Sequence, residues 1–154
     1  MSDQVSEPVK GDGWAVGTID GMGEGYGFRK IRRELGVTAF GVNAVVLPPG
    51  YATGRHYHEQ QEELYLVHRG TVEIEFGDRS THVLGEGGMA RVDAPTVRGL
   101  KNVGEGDAVY VIVGAKDGYV GRDGMLPEGE QNPRGPGFDG PPGAGPPLPG
   151  ESPT

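Results

Sequence analysis

Residues 50–70 read Gly50-Tyr51-Ala52-Thr53-Gly54-Arg55-His56-Tyr57-His58-Glu59-Gln60-Gln61-Glu62-Glu63-Leu64-Tyr65-Leu66-Val67-His68-Arg69-Gly70. Side chains two apart on a strand share one face. Once this stretch is extended, His56 and His58 aim at one point, and Glu63 arrives from the following strand. Two imidazoles and a carboxylate suit a divalent transition metal with open positions, iron(II) in particular. Imidazole also takes zinc, nickel and copper, so the residue types select a class of metals and no single member.

The flanking sequence reads as strands. Residues 39–47 place Phe40, Val42, Ala44 and Val46 on one face, and Pro48-Pro49-Gly50 ends the run. In residues 62–67, Glu63, Tyr65 and Val67 share the face the histidines need, with Leu64 and Leu66 behind. Val72, Ile74 and Phe76 alternate with Glu73 and Glu75, a strand with one wet face. Residues 14–19, 80–84, 89–92, 97–101 and 108–115 add further strands. Residues 32–35 form one helical turn stopped by Gly36. The glycine-dense residues 21–27 match no phosphate-binding pattern and read as a flexible crossing. Residues 29–33 are basic and read as a solvated face, while His68 and His82 read as surface residues. Many short strands at near-even spacing, with no three-turn amphipathic helix, predict an all-β sandwich or barrel.

The spacing Gly50-x5-His56-x-His58-x4-Glu63-x6-Gly70 resembles the first motif of the cupin superfamily. That resemblance implies a jelly-roll barrel (a double-stranded β-helix), a metal held by His56, His58 and Glu63, and a homodimer. Leu64 and Leu66 are the candidates for what the second copy covers. Iron, manganese, nickel and zinc are the candidate metals. The family's second motif, Gly-x5-Pro-x-Gly-x2-His-x3-Asn, keeps its spacing here from Gly87 to Asn102. Its chemistry is altered: Asp93 replaces the proline, Pro95 the glycine and Arg98 the fourth ligand histidine.

Arg98 leaves two outcomes open. Guanidinium stays protonated and has no lone pair for a metal. In the first outcome His56, His58 and Glu63 hold a metal with waters, and Arg98 orients a substrate carboxylate or phosphate by bidentate hydrogen bonds. In the second, Arg98 pairs with Glu63, and the histidines line a metal-free pocket for a small anion or a sugar-like molecule. At about 5 Å and an effective dielectric of about 20, a dication and a guanidinium repel by roughly 7 kcal/mol, so an empty site holds metal weakly. Tyr65 shares the inward face with Glu63 and is a candidate ligand contact.

With 154 residues the chain is one domain's worth. The expected layout is a flexible lead at 1–13, the barrel at 14–120 and a disordered Pro/Gly-rich tail at 121–154. Residues 127–154 hold 9 prolines and 7 glycines, with Phe138, Ala144 and Leu148 the only residues to bury, too little apolar surface to offset ordering. The formal charge of −8 argues against a nucleic-acid partner, which needs a basic face. There is no cysteine, so no thiolate takes part. A polar, acidic start and the lack of an apolar run of about 18–20 residues set the expectation of a soluble cytoplasmic protein that binds a small molecule and no membrane.

Overall fold

The computed structural model describes residues 4–135, 138, 140, 141 and 143–150. A hairpin of β1 (Val9–Gly11) and β2 (Trp14–Val16) leads through a 3-10 turn at Asp20–Met22 to β3 (Gly27–Arg29), the short helix α1 (Ile31–Leu35) and β4 (Gly41–Leu47). Next come β5 (Tyr57–His58), β6 (Glu62–Arg69), β7 (Val72–Phe76), β8 (Thr81–Leu84) and β9 (Met89–Val92). The chain continues through β10 (Arg98–Asn102), β11 (Ala108–Ala115) and β12 (Gly124–Met125). β1 falls inside the stretch expected to be a flexible lead. Its partner is β2, across the two residues Asp12-Gly13, a pair that favours tight hairpin turns.

Two antiparallel sheets face each other. One runs β3-β4-β11-β6-β9 and the other β10-β7-β8. The stretch before β5 extends the second sheet along its β10 edge, through bridges of Ala52 with Lys101 and of His56 with Arg98. β12 then pairs with β5. Val45, Leu47, Tyr65, Val67 and Tyr110 from the first sheet meet Val72, Ile74 and Leu100 from the second in the buried core. The strand pattern predicts this all-β barrel, and the cupin resemblance its jelly-roll form. β6 shows the alternation most clearly: Glu63, Tyr65 and Val67 are buried and Leu64 and Leu66 exposed. β4 departs from it, because Ala44 and Val46 are buried as well as Val45 and Leu47. α1 packs against this strand. Gly36 ends α1 in the left-handed conformation at φ 73°, as residues 32–36 predict.

Two residues fix the connections between the strands. Asn102, fully buried, donates to the Leu47 and Gly106 carbonyls at 3.0 and 2.9 Å and accepts from the Gly104 amide at 3.0 Å. It ties β10 to β4 and to the following turn. Gly70 joins β6 to β7 at φ 83°, where an added Cβ would stand 2.8 Å from the Asp107 carbonyl oxygen. Backbone strain and this clash act together, so Gly70→Ala destabilises the chain by about 2–3 kcal/mol. A lower urea midpoint with an unchanged slope is the expected result.

Described residues beyond 120 touch the barrel at several places. β12 pairs with β5, and the Glu130 carboxylate accepts from Arg55. The Gly143 carbonyl accepts from the Gly54 amide at 2.8 Å. Leu148 is buried at 8% exposure in the core cluster. One leucine and a few backbone carbonyls make this seat, which composition alone does not reveal. Among the described residues no helix is long and apolar enough to cross a membrane.

Candidate metal centre

His56 sits on the extended stretch that runs beside β10, His58 on β5, and Glu63 near the start of β6. Their ligand atoms lie within 4.8 Å of one another, on the wall of a cavity of about 860 Å³. The two imidazoles meet edge to face, ring centres 5.0 Å apart. Here the two-residue spacing does what the sequence predicts: both rings turn inward, and β6 brings the carboxylate to them.

Burial, then the charges of Arg98 and His58, push the pKa of His56 down to about 4. Its ring is neutral at pH 7 and keeps a lone pair. Burial disfavours the His58 cation too, but contacts with Glu63 and Asp123 outweigh burial and raise this histidine. For Glu63, burial pulls upward, while His58, Arg98 and Tyr65 hold the carboxyl below its ordinary value. The Tyr65 hydroxyl donates to Glu63 Oε1 at 2.9 Å. Burial, then Glu63, keep that phenol protonated far into the alkaline range.

Sequence reasoning missed Asp123. Its Oδ1 lies 2.7 Å from His58 Nδ1 and accepts from Gln61 Nε2 at 2.6 Å. Its Oδ2 accepts from the Gln60 and Gln61 amides at 2.7 and 3.0 Å. Burial pulls this carboxyl up, but the bonds from Gln61, Gln60 and His58 outweigh it and hold Asp123 well below the usual carboxylate range. An ionised carboxylate only accepts, so Nδ1 of His58 carries a proton and Nε2 is the nitrogen left to face Glu63. Metal-binding histidines are locked in this way by a carboxylate behind them. The chain offers 22 acidic residues for that role, and nothing in the sequence near position 123 marks this one. Asp123→Asn lowers metal affinity by about 10–100-fold, measured by competition with a chromogenic chelator, with the circular dichroism of the barrel unchanged.

Nε2 of His58 stands 3.2 Å from Glu63 Oε1. A lone pair and a carboxylate at that separation require a positive charge between them, a proton or a metal ion. His56 Nδ1 and His58 Nε2 are both buried without a hydrogen-bond partner among the described residues. Atoms bound about 2.0–2.2 Å from one ion lie roughly 3–3.5 Å apart. His58 and Glu63 already stand at that separation, and the set needs only a small closure by His56. These residues fit a divalent ion.

Arg98 is fully buried and does not line the cavity. Its terminal nitrogens donate to the Ala94 and Asp93 carbonyls at 3.4 and 3.2 Å, and the nearer comes no closer than 3.9 Å to Glu63 Oε1. The expectation that Arg98 grips a ligand anion therefore meets a guanidinium set behind the cavity wall. Nor does it close on Glu63 and displace an ion. Two backbone carbonyls, available because residues 93–96 turn beneath the site, draw it aside. Tyr65 does line the cavity, and His68 and His82 are exposed, as expected.

Residues 43–114 match the family model for the cupin domain. Among solved structures, a sugar phosphate isomerase of the cupin superfamily from Silicibacter pomeroyi DSS-3 superposes with a TM-score of 0.54 at 26% identity, over 68% of this chain and 60% of that one. The DMSP lyases RdDddP and RnDddQII give 0.51 at 20% identity, over 58% of this chain and 44% of that one. A predicted oxalate decarboxylase from Thermotoga maritima gives 0.47 at 22% identity, over 49% and 65%. The chain thus spans less than two thirds of the length of each of these three. No curated protein sequence matches it. A motif spacing read first in the sequence, a barrel that realises it, and a family model over that same stretch agree: residues 43–114 form a small cupin-type domain.

Proposed function

We propose that this chain is a metal-dependent enzyme that acts on a small oxygen-bearing molecule inside its barrel, with His56, His58 and Glu63 as the metal ligands. The observation that carries this reading is the buried His58 Nε2, unpartnered and facing Glu63 across 3.2 Å. A bound divalent ion supplies Lewis-acid polarisation of substrate oxygens there. The residues divide the remaining work. Asp123 fixes the His58 tautomer, Tyr65 steadies Glu63 through its hydroxyl, and the cavity takes the substrate. Oxygenase, isomerase and lyase chemistry all use such centres. Isomerisation is favoured by the 26% identity to the Silicibacter pomeroyi protein, itself described as a sugar phosphate isomerase.

Elemental analysis of protein purified without chelator tests the reading. A metal content near zero that added iron, manganese, nickel or zinc fails to raise removes it. Arg98 favours a second reading, because a fully buried cation 3.9 Å from Glu63 repels a metal ion held beside it. On that reading the barrel is a metal-free binding module for a small anion or a sugar-like molecule. Leu64 and Leu66, at 41% and 37% exposure, remain available on the outer sheet face for the proposed homodimer contact.

A further inference from the structure

The basic residues 29–33 do not form a remote solvated face. Arg29 is buried and donates to the Gly25 carbonyl at 2.8 Å. Lys30, Arg32 and Arg33 line the same cavity as His56, His58 and Glu63, and Arg122 and Arg134 join them from the C-terminal side. Against these five cations the lining holds two carboxylates, Glu63 and Asp123, both committed to the centre. The chain as a whole has 22 Asp and Glu against 14 Lys and Arg, so charge is inverted at the cavity.

Carboxylates are plentiful in this chain, yet none pairs with Lys30, Arg32 or Arg33 among the described residues. Arg32 lies over the Tyr119 ring, 4.1 Å from its centroid. Stacking fixes the guanidinium plane and leaves its in-plane N–H groups free to donate.

We propose that Lys30, Arg32, Arg33 and Arg122 form an anion-recognition arc on the cavity wall. It takes the phosphate or carboxylate end of a small two-ended substrate whose other end reaches His56, His58 and Glu63. This deepens the functional reading and rests on the cavity being the substrate site, not on the metal. Grouped cations in a cleft focus the field and concentrate an anionic substrate there. Guanidinium groups match carboxylate and phosphate oxygens in pairs. A cavity of about 860 Å³ has room for a molecule that spans both ends.

The test is calorimetric titration of the full-length protein at low salt with inorganic phosphate, and separately with succinate, in metal-loaded and chelator-treated samples. At least one of the two anions binds, and K30Q/R33Q/R122Q weakens it tenfold or more. R69Q/R79Q/K101Q, which removes as many charges away from the cavity, leaves it unchanged. The anion that loses affinity names the group, phosphate or carboxylate. Lys30, Arg33 and Arg122 are exposed, so these substitutions spare the fold. If neither anion binds, or if both triple variants weaken binding equally, the arc is overturned. His58→Ala, which disables the metal centre, keeps the anion affinity. A failure of metal binding alone therefore leaves the arc standing, and absence of anion binding by the unaltered chain with intact metal binding overturns the arc alone.

Discussion

His58→Ala protein, offered iron(II), manganese(II), nickel(II) or zinc(II), fails to hold any of them stoichiometrically, whereas the unaltered chain takes up roughly one ion per molecule. The substitution removes a ligand whose tautomer is set by Asp123 and whose lone pair points at Glu63. Two ligands remain. The loss exceeds the about 10–100-fold that removing an outer partner costs. His58→Gln is the companion variant, since it fills the space and offers Asp123 a donor but supplies no imidazole. Acidity gives an independent check. In the metal-free chain a proton bridges His58 and Glu63, and the His58 pKa is raised. The proton therefore stays bound above the ordinary histidine value of about 6.5, and a metal must displace it. Affinity rises with pH and levels off once the pH passes the raised pKa; it is lost as the pH falls. Titration calorimetry across pH 5.5–8.5 reads this directly. A flat profile, together with full loading of His58→Ala, sinks the assignment.

Arg98→His raises metal affinity by about tenfold or more, because repulsion of roughly 7 kcal/mol at about 5 Å disappears and a third imidazole, the fourth ligand, comes within reach. Only part of that repulsion is recovered. Arg98 is already drawn toward the Asp93 and Ala94 carbonyls, and Glu63 screens it. Arg98→Gln separates the two contributions, since it removes the charge and adds no ligand. A gain in both variants marks the guanidinium as an impediment; a gain in the histidine variant alone marks the missing ligand. Unchanged affinity in both means that Arg98 has no bearing on the ion. Both variants leave space where a fully buried guanidinium sat, so a fall in thermal stability accompanies either result.

The strands were legible wherever one face is wet. β7 and β9 fall where alternation and turn residues place them. The candidate trio was legible because strand periodicity turns His56 and His58 the same way. Three features were hidden. Asp123 reaches His58 across 65 residues, and no local pattern carries that distance. The position of Arg98 was readable, but its direction depends on two carbonyls that exist only once the turn at 93–96 has formed. The basic residues 29–33 looked like ordinary surface because a sequence does not show that α1 folds over the cavity. The Asp12-Gly13 turn was readable in principle, yet β1 and β2 bury little, and the flanking polar residues mask the hairpin.

Asp123 lies outside residues 43–114, past the last strand of the five-stranded sheet. A cut anywhere between Ala115 and Asp123 spares the barrel's two facing sheets and all three ligands, but frees the His58 ring to flip. Loss of the segment beyond it also strips β12 from β5 and Leu148 from the core, so trimming beyond β11 is expected to weaken the barrel and the candidate centre together.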